Sequence, residues 1–181
     1  MSNQVYRIED YKFSNSDEVL FDANVWLYIY GPTGNRYPRL RAKYTLALRQ
    51  IRSVGGQIFL DGFVLSEFIN AYARFVYNEW PLATKPEQFK SFRNSDEFKP
   101  VAKEIVTKSR RLLKKCQQTG SGFESINLDP IFSKYATGGA DFNDMMLAEL
   151  CQTKGLKLVT HDSDFKDDNL TIITANRKLL N

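Results

Sequence analysis

The feature that most constrains this chain is the alternation of short apolar runs with longer stretches of helical spacing. Val19-Leu20-Phe21, Gln57 to Leu60, Leu156 to Thr160 and Leu170 to Ile173 each read as a short strand. Between the first two, Leu40, Tyr44, Ala47, Leu48 and Ile51 fall on one helical face, and Gly55-Gly56 closes that helix. Ser66 is the expected cap of a helix running through Asn78, with Glu67 in its first turn and Pro81 beyond its end. A helical stretch from about Pro86 to Thr119, broken near Asn94 and Ser95, stops at Gly120-Ser121-Gly122. Ile126-Asn127-Leu128 reads as a further short strand, and Gly138-Gly139 opens a helix that Gly155 ends. Strands alternating with helices imply right-handed βαβ units and a parallel sheet, hence a layered α/β fold in a single domain. Residues 1–17 are polar and mixed, an N-terminal extension that forms either a flexible arm or an edge segment.

Composition removes several function classes. A hydrophobic share of 43% beside a charged share of 25% describes an ordinary globular chain, not a disordered or fibrous one. The longest charge-free apolar stretch, Ala23 to Tyr30, ends at Gly31-Pro32, well short of the roughly 20 residues of a membrane span. Met1 to Asp10 lacks an apolar signal region, so a cytoplasmic protein is expected. Cys116 and Cys151 stand far apart, which indicates neither a zinc site nor a disulfide framework. With His161 the single histidine, catalysis must run on carboxylates. These are hard oxygen ligands, suited to Mg²⁺ or Mn²⁺ rather than zinc.

In an open parallel sheet, ligands gather beyond the carboxyl ends of the strands. Asp22 follows Val19-Leu20-Phe21 directly, and Asp162 lies two residues after Leu158-Val159-Thr160, so both belong at that edge. A lone aspartate there is more often a turn former or a helix cap; two are better evidence for a site. Asp144 precedes the apolar run Met145 to Ala148 near a helix start, with Asp141 one turn earlier. Glu67 sits inside the mostly apolar Val64-Leu65-Ser66-Glu67-Phe68 with no cationic neighbour.

These segments resemble a known family. Leu20-Phe21-Asp22-Ala23-Asn24-Val25-Trp26-Leu27 is similar to the opening of PIN domains. Leu65-Ser66-Glu67-Phe68 resembles the segment carrying that family's glutamate, and Asn143 to Leu150 its third-acid helix. Leu158 to Phe165 resembles its closing strand and Thr-x-Asp/Asn-x-x-Phe turn. The resemblance implies a PIN-like parallel-sheet α/β/α sandwich over 18–181; the N-terminal extension at 1–17 and a helical insertion that lengthens the Glu67-to-Asp144 interval depart from the compact toxin-type members. It implies a Mg²⁺- or Mn²⁺-dependent endoribonuclease with Asp22, Glu67, Asp144 and Asp162 as the metal-site acids. Asn24 would support Asp22, Thr160 would orient the last turn or a phosphate, and Asp141 would help from the outer shell. Asp164 stands as an alternative to Asp162, since both lie in the matching turn. The implied role is the toxin of a toxin–antitoxin pair, with RNA as substrate, an antitoxin protein as partner and a homodimer as assembly. A housekeeping RNA-processing nuclease, a non-catalytic RNA- or protein-binding module and a carboxylate-metal phosphohydrolase acting on a small molecule are the alternatives.

The net charge of +4 is unevenly spread. Arg36, Arg39, Arg41, Lys43, Arg49 and Arg52 occur with no acid between them. From Lys99 to Lys115, Lys103, Lys108, Arg110, Arg111 and Lys114 have only Glu104 for company. Arg36, Arg39, Arg41, Lys43, Lys108, Arg110 and Arg111 are therefore the expected RNA-binding cations, against the plainer reading of two solvated helix faces. Phe89, Phe92 and Phe98 either stack on bases or pack a helical cap.

Overall fold

The computed structural model describes residues 3–138, 141–165 and 169–180. Among the described residues, six strands form one wholly parallel sheet: β1 (Gln4–Arg7), β2 (Glu18–Phe21), β3 (Gln57–Leu60), β4 (Gln117–Gln118), β5 (Lys157–Val159) and β6 (Thr171–Thr174). Their spatial order is β1-β6-β5-β2-β3-β4. The helices between them are α1 (Ala23–Tyr30), α2 (Thr33–Arg36), α3 (Pro38–Ser53), α4 (Gly62–Asn78), α5 (Phe89–Arg93), α6 (Phe98–Leu113), α7 (Leu128–Ala136) and α8 (Phe142–Lys154). The expected α/β/α sandwich is what forms.

The central strands are apolar because both faces of the sheet are covered. Val19, Leu20 and Phe21 of β2 are wholly buried, with Leu20 in register with Phe59 on one side and Leu158 on the other. The chain steps from β2 to β3 and β4 in one direction, then returns to place β5 on the other side of β2. That reversal opens a crevice between the carboxyl ends of β2 and β5, the usual ligand position in such sheets.

Several elements depart from expectation for local reasons. The helix containing Glu67 begins about five residues early, because Asp61 rather than Ser66 caps it, accepting from the Phe63 amide at 2.6 Å. Glu67 therefore stands beyond the first turn. Ile126-Asn127-Leu128 is not a strand: Asn127 accepts from the Asp129 amide and starts α7, whose Pro130 sits in the first turn, where a missing N–H costs nothing. The helical stretch expected to reach Thr119 ends at Leu113. The polar Gln117–Gln118 then pairs with β3 as an edge strand that no apolar pattern announces. Gly139 of the expected Gly138-Gly139 opening lies outside the described residues; the helix itself starts at Phe142, capped by Asp141. Of the two readings of the N-terminal segment, the edge is the one realised: β1 pairs with β6, and Asn3 ties down both Phe165 O and Leu170 N.

Two packing features hold the site's surroundings. Six of the thirteen α8 residues are buried: Leu147, Ala148, Leu150 and Cys151 join the main core, while Met145 and Met146 meet Ile131 of α7 in a small second one. Asp17, only 2% exposed, is paired with Lys157 and accepts from Ser14 N and Tyr11 Oη, tying the entry of β2 to that of β5. Among the described residues, no helix is long and apolar enough to cross a membrane.

Candidate active site

Asp22 occupies the N-cap position of α1, yet its carboxylate makes no capping hydrogen bond to that helix. A cap of this kind is ordinarily worth about 1 kcal/mol. Asp61, Asp141 and Asn127 all cap their helices through the side chain, so the contrast is specific. The Asp22 carboxylate instead faces the crevice, 4% exposed, with Oδ2 accepting from Thr160 Oγ1 at 2.6 Å and from Asn24 Nδ2.

Thr160 itself is fully buried and cannot meet a phosphate in this state; its oxygen accepts from the Asp162 amide at 2.9 Å and so orients the final turn. Asn24 adds a second tie, accepting from His161 N at 3.1 Å. The β5 end is fixed from behind as well. The Tyr44 hydroxyl lies 2.8 Å from His161 Nδ1 and 3.2 Å from Thr160 O, and accepts from Ala175 N. Asn176 Nδ2 donates to His161 O at 2.7 Å. Tyr44 and Asn176 carry no local signal of this role, since their partners lie far away in sequence.

Four elements bring acids to the crevice: Asp22 from the end of β2, Glu67 from α4, Asp144 from the first turn of α8 and Asp162 from the turn after β5. Burial pushes the Asp22 carboxyl up to about 7, with repulsion from Glu67 and Asp162 adding to it and the Thr160 hydroxyl pulling back. Burial also raises Asp144 to about 7, helped by Asp22, Asp162, Asp141 and Asp164. Glu67, more exposed, is raised by desolvation and then by Asp144, Asp141 and Asp162. Asp162 thus acts on three of these acids, whereas Asp164 reaches Asp144 alone among them. Asp164 is exposed, and its amide donates to Asp162 Oδ1 at 3.0 Å. Asp141 spends its carboxylate on the Asn143 amide but still adds to the local negative field.

Among the described residues, no three His, Cys, Asp or Glu side chains form a closed metal cage. The acids ring the crevice as electrostatic neighbours, each raised in part by the others. The donor set nevertheless fits a hard divalent cation: it is all oxygen, and its raised pKa values record first burial and then mutual repulsion, both of which such a cation would offset.

The expected RNA-binding cations do not share one surface role. Arg36 pairs with Glu79, Lys43 with Glu9, and Arg41 donates to Asn35 Oδ1. Lys108 stands 3.8 Å from Glu104, while Arg39, Arg110 and Arg111 are exposed. Of the three phenylalanines, Phe92 is wholly buried among Tyr77, Trp80 and Phe98, which is the cap-packing reading. Phe89 lies beneath Arg74 and Arg93. Burial pushes the Cys116 and Cys151 thiols up to about 12, consistent with inert packing residues.

Residues 19–168 match the PIN domain family. The chain belongs to that family. PIN domains are generally nucleases, which places this one among hydrolases of nucleic acid at the level of the family. The crystal structure of PAE2754 from Pyrobaculum aerophilum is a fold relative, with a TM-score of 0.50 and 14% identity over 96% of this chain and 94% of that one. A search of curated proteins finds no match. The PIN match begins at the buried strand β2 and spans all four crevice acids, while β1 lies outside it.

Proposed function

We propose that this PIN domain is a metal-dependent endoribonuclease whose crevice acids Asp22, Glu67, Asp144 and Asp162 hold Mg²⁺ or Mn²⁺. The observation that carries the reading is the convergence of four acids, from four separate elements, on the crevice between β2 and β5, with Asp22 and Asp144 both raised to about 7. A bound divalent ion supplies an acidified water and stabilises charge building on the phosphate oxygens. The chain's own part is positioning. Thr160 and Asn24 hold one oxygen of Asp22, Thr160 and Asn24 together fix the backbone of the final turn, and α8 presents Asp144 from a rigid, buried helix. Asp162 is the fourth acid in this reading, because it faces three of the others, with Asp164 serving the turn.

Cleavage of single-stranded RNA should require Mg²⁺ or Mn²⁺ and stop with chelator. Asp22→Asn and Asp144→Asn should each abolish it while leaving the fold intact; unchanged cleavage in both variants sinks the site assignment. RNA binding without turnover under any divalent metal would favour a non-catalytic module. For biological role we infer the toxin of a toxin–antitoxin pair, on the sequence resemblance. Growth arrest on expression, relieved by a small partner protein, supports it, and unimpaired growth favours RNA processing.

A further inference from the structure

A large concavity lies away from the acid crevice. It is a cleft of about 850 Å³ between α3 and α6, floored by Ile29 and Tyr30 of α1. Its walls carry Arg41, Arg49 and Arg52 from α3, and Lys108, Arg111 and Lys115 from α6 and the turn after it. Among the described residues, no acid lines it.

The spacing makes these two facing stripes. Positions 41, 49 and 52, with Thr45 between, step by three, four or eight along α3, and 108, 111 and 115 step by three and four along the other wall, so each set shares a face. From Pro38 to Arg52, α3 runs about 21 Å at 1.5 Å per residue. Arg49, Arg52, Arg111 and Lys115 have no ion-pair partner among the described residues, whereas Lys108 on the cleft wall, and Arg36 and Lys43 outside the cleft, do. Arg52 and Arg111 both lie within electrostatic reach of the Tyr30 hydroxyl, so the walls approach each other there.

The cationic surface also continues. Arg52 and Lys115 line a second, open cavity with Lys114, beside Gly55 to Ile58 and Cys116 and Gln117. Those segments lead into the amino ends of β3 and β4, whereas the acids lie at the carboxyl ends of the strands. The cleft and the acid crevice have no residue in common.

Unpaired cations brought together in a concave surface repel one another, a cost that persists unless an anionic ligand offsets it. An extended polyanion matches a track of this length better than a single small anion. The exposed apolar side chain of Leu46 and the Tyr30 ring add surfaces for sugar or base. We propose that the cleft between α3 and α6 binds the phosphate backbone of single-stranded RNA at a distance from the acid crevice, holding a part of the strand that is not being cut. This rests on the nuclease reading for the choice of RNA as the polyanion.

The test is binding of a fluorescein-labelled single-stranded 20-nucleotide RNA, followed by anisotropy in EDTA, so that no cleavage is needed. The triple variant Arg49→Glu, Arg52→Glu, Lys115→Glu should bind about tenfold more weakly or worse, and its plot of log K against log salt should flatten by roughly 2, at about 0.7 for each phosphate the protein no longer neutralises. A charge-matched control, Lys12→Glu, Lys99→Glu, Lys178→Glu, should keep both affinity and slope. Thermal melts of the two triples establish that both are folded; if the cleft triple is not, Arg49→Gln and Lys115→Gln are measured singly, each lowering the slope by about 0.7. Equal weakening in the cleft and control variants, or an unchanged slope in folded cleft variants, overturns the proposal. Displacement of the RNA by poly-glutamate at equal charge concentration also overturns it, by assigning the cleft to an acidic protein. Because binding is read without metal, a wild-type protein that binds RNA through the cleft yet never cuts it in Mg²⁺ or Mn²⁺ would fail the nuclease reading and leave this one standing.

Discussion

Replacing Asp22 with asparagine should stabilise the metal-free protein at neutral and alkaline pH, against the usual outcome of altering a buried polar residue. The Asp22 carboxyl rises from an ordinary 3.8 to about 7 in the folded state. At about 1.4 kcal/mol per tenfold in the proton equilibrium, its ionised form burdens the fold by roughly 4 kcal/mol. The folded protein holds this proton where the unfolded chain has lost it, so stability falls as pH rises. The penalty is absent below 3.8, grows between 3.8 and about 7, and is complete above that. Between pH 5 and pH 8 it amounts to roughly 3 kcal/mol. His161, lowered from 6.5 by burial, has the opposite sign: its contribution is present above 6.5 and lost as the pH falls. The wild-type curve alone is therefore a composite, and the difference between wild type and Asp22→Asn isolates the carboxylate. Asparagine keeps an oxygen for Thr160 and Asn24 and turns an N–H group toward the remaining acids, so little is lost in exchange. Urea unfolding in EDTA is the assay. Asp22→Asn should exceed wild type by about 2 to 4 kcal/mol at pH 8 and match it near pH 4. Adding Mg²⁺ at pH 8 should raise the wild-type midpoint more than that of the variant. Equal stabilities at pH 8 with parallel pH dependence would refute the argument that burial and repulsion load this carboxylate.

Thr160→Val removes the donor to Asp22 and the acceptor of the Asp162 amide; it should cost about 1 to 3 kcal/mol in urea melts, raise the Asp22 pKa further, and reduce RNA cleavage at a fixed folded fraction. Lys157→Met strands the buried Asp17 with only Ser14 N and Tyr11 Oη, for a loss of about 2 to 3 kcal/mol at pH 7. Asp17 is lowered by Lys157, though burial opposes this, so the stability it contributes is present above 3.8 and the gap between Lys157→Met and wild type should close as the pH falls below that. Gly34→Ala would put a Cβ 2.0 Å from the carbonyl oxygen of Tyr28, a clash that only backbone movement can relieve; a loss of about 1 to 3 kcal/mol in thermal or urea melts is expected.

The sequence by itself determined the alternating α/β plan, the central strands and the acids, because these follow from local patterns: apolar runs of strand length, helical spacing, and aspartates directly after strands. Asp22 was legible as a strand-end acid for this reason, and Asp144 as a helix-start acid. Elements stabilised by side-chain chemistry rather than apolar periodicity were not. Asp61 moved the start of α4 and so the turn on which Glu67 sits, Asn127 turned an apparent strand into α7, and the polar Gln117–Gln118 became an edge strand through backbone pairing alone. Tertiary structure decided what depends on distant neighbours. It placed Asp162 within electrostatic reach of Asp22, Glu67 and Asp144 while Asp164 reaches Asp144 alone among them, and it fixed that turn through a hydroxyl 138 positions away from Asp22 in sequence. It also separated the basic residues, pairing Arg36 and Lys43 with acids and gathering Arg49, Arg52, Arg111 and Lys115 in one cleft. A charge in the sequence carries its sign but not its surroundings, and both its pKa and its availability to a ligand are set by the neighbours that folding supplies.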